Sequence, residues 1–159
     1  MSGRLQSLQY ALDTMTKNST FSTEWLSPIQ IPLATKFVRS HQFRGRIRSH
    51  DQCIVLRNQQ ADIVGIAALR AIGDYHLLTA VAIVEEYRGQ GLARKLLYDM
   101  NDKFSQDTFT FSLCHLQGLY SSVGFIVVSE QKLPSELNDR FTAYQDQGRD
   151  IIPMVYRPN

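Results

Sequence analysis

The chain has 159 residues, of which 17 are basic, 15 are acidic and 43% are hydrophobic, and its net charge is +2. This composition excludes a disordered chain, and so small a net charge gives no indication of a nucleic-acid partner. The length predicts a single domain spanning residues 1–159. Only two cysteines and an N-terminus without an apolar signal sequence predict a cytoplasmic protein.

The N-terminal segment has apolar residues on one helical face. Leu5, Leu8, Leu12 and Met15 follow each other at intervals of three and four residues, which predicts an extra helix within residues 1–20. Such a helix either packs on its own domain or meets a partner helix in a homodimer. After it we expect a connection or short strand near 21–26, and a second helix from Pro32 to about Ser40.

Basic residues are concentrated between positions 36 and 48. Three interpretations stay open for this cluster: a solvated face, a site for an anion such as a phosphate or an acidic acceptor, and a nucleic-acid groove. The absence of interleaved aromatic residues disfavours the nucleic-acid groove. The cluster consists of Lys36, Arg39, Arg44, Arg46 and Arg48, with His41 and His50 among them.

Three apolar runs joined by short turns follow this cluster. Residues 53–57, 63–69 and 75–84 read as strands, and the short connections predict antiparallel pairing. The apolar period then changes to that of a helix from about Gly91 to Ser105.

Residues 108–129 carry no Asp, Glu, Lys or Arg, yet this run of 22 residues is too polar for a membrane span. Its pattern predicts a strand at 108–113, a short helix at 115–123 and a strand at 125–128. A helix near 135–144 and a strand at 151–156 complete the chain. The order predicts an α/β (α+β) fold: an antiparallel first half followed by alternating strands and helices.

The junction between the third strand and the following helix carries the most informative pattern. Its sequence is Arg88-Gly89-Gln90-Gly91-Leu92-Ala93-Arg94. Small residues leave backbone N–H groups unobstructed there, and the first helical turn has four N–H groups without internal acceptors, so a pyrophosphate is the expected ligand. The pattern is neither a Walker loop nor a dinucleotide fingerprint.

Two motifs resemble the GNAT superfamily of N-acetyltransferases. Arg88-x-x-Gly91-x-Ala93 resembles its Arg/Gln-x-x-Gly-x-Gly/Ala motif, and Tyr120 four residues before Gly124-Phe125 resembles a second motif. The resemblance extends from about Pro32 to the C-terminus and implies the GNAT fold. That fold has a central mixed, mostly antiparallel sheet of six to seven strands flanked by about four helices.

The resemblance also implies a site for acetyl-CoA as acyl donor, without a metal. GNAT enzymes bind this cosubstrate where the fourth and fifth strands splay apart. It implies that Ala82, Ile83 and Val84 contact the pantetheine arm through main-chain groups. It further implies that residues 88–94 hold the pyrophosphate, namely Arg88, Gly89, Gln90, Gly91, Leu92, Ala93 and Arg94.

In the family, the tyrosine of the second motif protonates the departing thiolate. Tyr120 matches this tyrosine, so the resemblance implies that Tyr120 is the general acid. A phenol with a pKa of about 10 keeps its proton at neutral pH. For the base that deprotonates the amine, His76 and His115 are candidates, and ordered water is the alternative. A packing role remains open for all three side chains.

These features predict an N-acetyltransferase that transfers acetyl from acetyl-CoA to a primary amine by direct attack in a ternary complex. Cys114 offers a covalent route that the family generally does not use. The alternative function is a catalytically idle acyl-CoA-binding regulatory module. The acceptor surface is expected to come from the first two helices and the loop before the last strand. The basic cluster is a candidate site for an anionic acceptor, and the alternatives are that it meets the cofactor's 3′-phosphate or solvent.

Overall fold

The computed structural model describes residues 20–158, so the helix predicted within residues 1–20 lies outside the described residues. The described part contains seven strands and four α-helices. The strands are β1 Ser22–Trp25, β2 Gln52–Arg57, β3 Ile63–Ile72, β4 Tyr75–Ile83, β5 Thr108–Leu113, β6 Ile126–Val127 and β7 Ile151–Tyr156. The helices are α1 Ile31–Ser40, α2 Leu92–Asp99, α3 Gln117–Ser122 and α4 Ser135–Asp146.

All seven strands form one sheet in the order β1-β2-β3-β4-β5-β7-β6. Every neighbouring pair is antiparallel except β4 and β5, which run parallel. A parallel pair needs a long crossover, and α2 with its flanking turns supplies it. The predicted fold, a mixed and mostly antiparallel sheet of six to seven strands with about four helices, is confirmed.

Strand β2 shows why its residues read as a continuous apolar run. Ile54 and Leu56 belong to a core shared with α2 and α3, whereas Cys53 and Val55 belong to a core shared with α1. Alternate side chains of a strand point to opposite faces, so a sheet covered by helices on both faces needs apolar residues at every position.

The helix predicted for residues 91–105 is shorter in the structure. It ends at Asp99, and a 3₁₀ turn, Asn101–Lys103, follows it. Phe104 is nevertheless buried in the same core as Leu96 and Met100. The apolar spacing therefore identified the buried face, while Asn101 and Asp102, which disfavour helix interiors, coincide with the end of the α-helix.

Candidate active site

Strands β4 and β5 pair only at their first residues. The parallel ladder joins His76, Leu77 and Leu78 to residues 108–110. Beyond it, β4 continues to Ile83 and β5 to Leu113 without pairing with each other. A bulge lies where the strands separate: Ala80 has a φ of +57°, and the β3–β4 register shifts between Ile66 and Ala68. Bulges increase local twist and disrupt pairing, which accounts for the opening between the two strands.

The exposed edge of β4 carries unpaired main-chain groups. Val84 N–H donates to Val64 O on β3 at 2.9 Å. Because hydrogen-bonded and non-hydrogen-bonded positions alternate along an antiparallel pair, Ala82 also faces β3, whereas Val81 and Ile83 face the opening. Ile83 O accepts a hydrogen bond from Arg88 Nε at 2.9 Å. Of the three residues predicted to contact the pantetheine arm, Ile83 directs its main-chain groups into the opening, whereas those of Ala82 and Val84 face β3. Val81, which the sequence did not indicate, also faces the opening.

Residues 88–94 leave a row of backbone N–H groups available. Gly89 and Gly91 have φ values of +81° and +77°, a region in which glycine is favoured, and no heavy atom lies within 4 Å of a Cβ built on either. Within the described chain, no backbone acceptor is found for the N–H groups of residues 89–94, and no side chain caps α2. The helix dipole adds positive potential there, so this turn can hold an anion.

Two neighbouring side chains further define this turn. Arg94 Nε donates to Ser122 Oγ at 3.1 Å, which joins the start of α2 to α3. Leu92 is only 2% exposed because it packs in the core, so only its N–H group is available to a ligand. At Leu92 the turn therefore offers a ligand its backbone and not its side chain.

Tyr120 lies on α3 beside the opening. Its ring packs edge-on against Phe125 at a centroid distance of 5.8 Å, and Phe125 N–H donates to Tyr120 O at 3.1 Å. Burial raises the pKa of Tyr120 to about 12, although hydrogen bonding with the Thr110 side chain acts to lower it. The phenol therefore keeps its proton throughout the neutral range, as a proton donor must.

A cavity of about 510 Å³ adjoins Tyr120 and the diverging strands. Leu77 to Val81 of β4 and Thr110, Phe111 and Leu113 of β5 form its floor. Its walls carry five arginines from three parts of the chain: Arg44, Arg46, Arg48, Arg70 and Arg149. Three of these belong to the predicted basic cluster, whereas Lys36 and Arg39 line a different groove beside α1.

The structure does not bring the two candidate bases to this cavity. His76 is the second residue of β4, at the end of the strand away from Ile83, and it lines a separate cavity of about 360 Å³. Its Nδ1 is buried without a hydrogen-bond partner, and burial lowers its pKa. His115 is exposed in the 3₁₀ turn before α3 and does not line the cavity of Tyr120. No Asp, Glu or His lines that cavity among the described residues.

Cys114 lies close to the cavity without lining it. The thiol is exposed, and hydrogen bonding with the Asp150 side chain raises its pKa. A raised pKa reduces the thiolate fraction, which is the nucleophilic form.

Residues 20–158 contain neither a cluster of metal-binding side chains nor a membrane-spanning helix. No group of three His, Cys, Asp or Glu side chains is arranged to bind a metal ion. None of the described helices combines the length and the apolar character that crossing a membrane requires.

A protein-family model described as an acetyltransferase (GNAT) domain matches residues 22–137, which is most of the chain. The chain belongs to the GNAT family of acetyltransferases. This match agrees with the two motifs and with the sheet order, and it covers β1 to the first turn of α4. No curated protein matches the chain.

Solved GNAT structures share the fold at low sequence identity. N-acetylglutamate synthase from Neisseria gonorrhoeae, complexed with coenzyme A and N-acetyl-glutamate, is 21% identical over 87% of this chain, with a TM-score of 0.66. This chain spans only 35% of that protein. Rv2747 from Mycobacterium tuberculosis, in complex with CoA and NLQ, is 14% identical over 87% of this chain and 99% of its own, with a TM-score of 0.62.

A third GNAT structure, YhbS from Escherichia coli in complex with CoA, is 20% identical over 87% of this chain and 81% of its own, with a TM-score of 0.53. At these identities the likeness supports the fold of the GNAT domain.

Proposed function

We propose that this GNAT protein transfers an acetyl group from acetyl-CoA to a primary amine. The observation that carries the proposal is the opening between β4 and β5, together with the free N–H groups of residues 89–94 in the turn after β4 and Tyr120 in the lining of the adjoining cavity. Three GNAT relatives of the same fold are complexed with CoA. A thioester cosubstrate in the opening would lie along the free edge of β4.

Different parts of the chain bind the pyrophosphate and the pantetheine arm of acetyl-CoA. The N–H groups of residues 89–94 bind the pyrophosphate, with the positive end of the α2 dipole adding to the attraction. The main-chain groups of Val81 and the N–H group of Ile83, whose carbonyl oxygen already accepts from Arg88, pair with the pantetheine arm. This arrangement directs the acetyl group toward the cavity beside Tyr120.

In the chemical step, the amine nitrogen attacks the thioester carbonyl, and the C–S bond breaks as the tetrahedral intermediate collapses. Tyr120 donates its proton to the departing thiolate. The described lining of the cavity that Tyr120 shares contains no carboxylate that would oppose the developing negative charge.

The amine must lose a proton before or during attack. Because no Asp, Glu or His lines the cavity in the described chain, we infer that water accepts this proton and that neither His76 nor His115 touches the reacting atoms. Cys114 lies outside the lining and has a raised pKa, which favours direct attack in a ternary complex over an acetyl-cysteine intermediate.

Thiol release from acetyl-CoA, measured across polyamines, amino acids, aminoglycosides and peptide N-termini, tests the proposal. We expect amine-dependent release of free CoA. Tight CoA binding without thiol release for any amine would instead support the idle acyl-CoA-binding module, and absence of CoA binding would contradict both.

A single added negative charge tests where CoA binds. Gln90→Glu adds one negative charge to the exposed turn before α2 without changing side-chain shape, and we expect it to weaken acetyl-CoA binding about tenfold. Gln106→Glu is the matched control, because Gln106 is exposed near the paired ends of β4 and β5, where the opening is absent. Equal effects of the two substitutions on the Kd for acetyl-CoA would contradict this assignment.

A further inference from the structure

The cavity beside Tyr120 has an unusually one-sided charge. Its five arginines come from the segment before β2, from β3 and from the loop before β7, and no acidic side chain joins them in the lining. Residues 84–94 do not contribute to the lining either, so this positive charge is separate from the turn assigned to the pyrophosphate. The arginines therefore face whatever enters the acceptor side of the opening.

A buried ion pair fixes part of this charge in position. Arg70 Nε and Nη2 donate to Asp51 Oδ1 and Oδ2, both at 2.9 Å, and Arg70 Nη2 also donates to Arg46 O at 2.7 Å. Asp51 Oδ2 accepts from Arg48 N–H at 2.8 Å. Asp51 thus neutralises Arg70, while the backbone that carries Arg46 and Arg48 is held against β3.

The remaining four arginines keep their charge unpaired. Arg44, Arg46, Arg48 and Arg149 form no ion pair with any described residue. Arg149 instead stacks on the ring of Tyr144, with its guanidinium carbon 4.4 Å from the ring centroid. Such stacking orients the planar guanidinium while leaving its edge free for hydrogen bonds.

Gly45 lets the arginine segment approach the reaction centre. It has a φ of +108°, and a Cβ built on it would lie 3.6 Å from Ala80 Cβ, at the bulge where β4 and β5 separate. Arg44 and Arg46 flank this contact, so their backbone lies next to the part of β4 that lines the cavity.

We propose that the acceptor is a small primary amine that also carries carboxylate groups, such as an acidic α-amino acid, and that the arginines bind these carboxylates. This inference rests on the proposed acetyltransferase function and specifies its substrate class. The guanidinium fork matches a carboxylate with two parallel hydrogen bonds, and a cavity of about 510 Å³ is in the size range of small-molecule sites. Polyamines and aminoglycosides would meet repulsion at the same wall.

The positive charges of the arginines also favour the neutral, nucleophilic form of the bound amine. Positive potential disfavours the ammonium form, so it lowers the pKa of the bound amine and raises the fraction of the neutral nucleophile. This effect compensates for a cavity without a carboxylate or histidine base.

Matched acceptors test the substrate class. We compare kcat/KM for L-glutamate, L-aspartate, L-glutamate dimethyl ester, putrescine and glucosamine 6-phosphate at saturating acetyl-CoA and low ionic strength. We expect the dicarboxylates to exceed the ester and putrescine at least tenfold. Equal or better turnover of the ester or putrescine would overturn the inference, and a preference for glucosamine 6-phosphate would show that the wall selects phosphate instead.

Arginine variants test the residues. Arg46→Gln and Arg149→Gln each remove one guanidinium, the first from the segment before β2 and the second from the loop before β7. We expect each to raise the KM for the preferred dicarboxylate about tenfold, the loss expected for a charge-assisted hydrogen bond, with the Kd for acetyl-CoA unchanged. Arg39→Gln is the control, because this exposed arginine of the same basic cluster lines a different groove. Equal KM changes in all three variants would indicate net charge alone and overturn the inference.

Direct binding separates this inference from the proposed function. Titration of the CoA complex with L-glutamate, followed by calorimetry, measures carboxylate recognition without chemistry. Saturable binding weakened by Arg46→Gln supports the inference, and its absence overturns it. Absence of CoA binding would contradict the proposed function itself. Turnover only of amines that lack carboxylate groups would contradict the substrate class alone.

Discussion

Arg70 and Asp51 form a two-point ion pair between β3 and the segment that precedes β2, with both N–O distances at 2.9 Å. Both side chains are buried, and the pair also connects to the backbone of Arg46 and Arg48. A single carboxylate therefore holds the arginine-bearing wall of the cavity against the sheet.

Removing the charge of Asp51 should strongly destabilise the protein. Asp51→Asn leaves Arg70 buried without its counter-ion, and breaking a buried pair in this way costs about 3–5 kcal/mol. Urea denaturation would measure the free energy of unfolding. Glu24→Gln is the matched control, because Glu24 pairs with Arg57 at 3.0 Å on the surface and such pairs contribute about 0–1 kcal/mol. Comparable losses in the two variants would contradict the structural role of Asp51.

Gly124 should not tolerate a side chain. It has a φ of +107°, and a Cβ there would lie 2.9 Å from Tyr156 Cε2, so Gly124→Ala combines backbone strain with displacement of an aromatic ring. We expect a loss of about 1–3 kcal/mol or more in the free energy of unfolding.

The control for Gly124 is another glycine of the same segment. Gly118 is exposed within α3 and has open space around a built Cβ, so Gly118→Ala should be neutral or stabilise by up to about 1 kcal/mol. A stable Gly124→Ala protein would show that the turn before Phe125 adjusts more easily than its geometry indicates.

Tyr120 should make stability fall at alkaline pH. In the folded protein burial raises its pKa to about 12, whereas an unfolded tyrosine titrates near pH 10. Between these values the unfolded state binds fewer protons, so the free energy of unfolding decreases as pH rises from about 10 to 12, by up to about 3 kcal/mol. Tyr120→Phe should lack this part of the decrease in denaturation curves recorded over that range. If the free energy of unfolding fell equally with pH in the wild-type protein and in Tyr120→Phe, the result would contradict a buried phenol at position 120.

Local patterns predicted most of the fold. The strands at 108–113 and 151–156 have the predicted boundaries, because alternation or a short apolar run ended by turn residues is a local property. Strand β3 runs three residues beyond its predicted end at Leu69, since Arg70 becomes acceptable in a buried strand only through its pairing with Asp51. That partner is 19 residues away in sequence, and no local pattern reveals it.

The site residues likewise include some that local motifs predict and some that only the tertiary structure brings to the cavity. Residues 88–94 and Tyr120 belong to contiguous motifs, so the sequence pointed to both. Arg70 and Arg149 join the cavity only through the sheet and the approach of the loop before β7. His76 matched the chemistry of a base but lies at the paired end of β4, because only the register of β4 with β5 determines which end opens.

The kinetics of Tyr120→Phe test the central claim, that Tyr120 protonates the departing thiolate, most directly. Phenylalanine keeps the ring that packs against Phe125 and removes only the proton donor. The control Tyr98→Phe makes the same chemical change at a side chain that is 66% exposed on α2. With acetyl-CoA and the best acceptor, we expect kcat to fall about 100-fold or more for Tyr120→Phe, with the Kd for acetyl-CoA unchanged and Tyr98→Phe fully active. An unchanged kcat with intact acetyl-CoA binding would contradict the role of Tyr120.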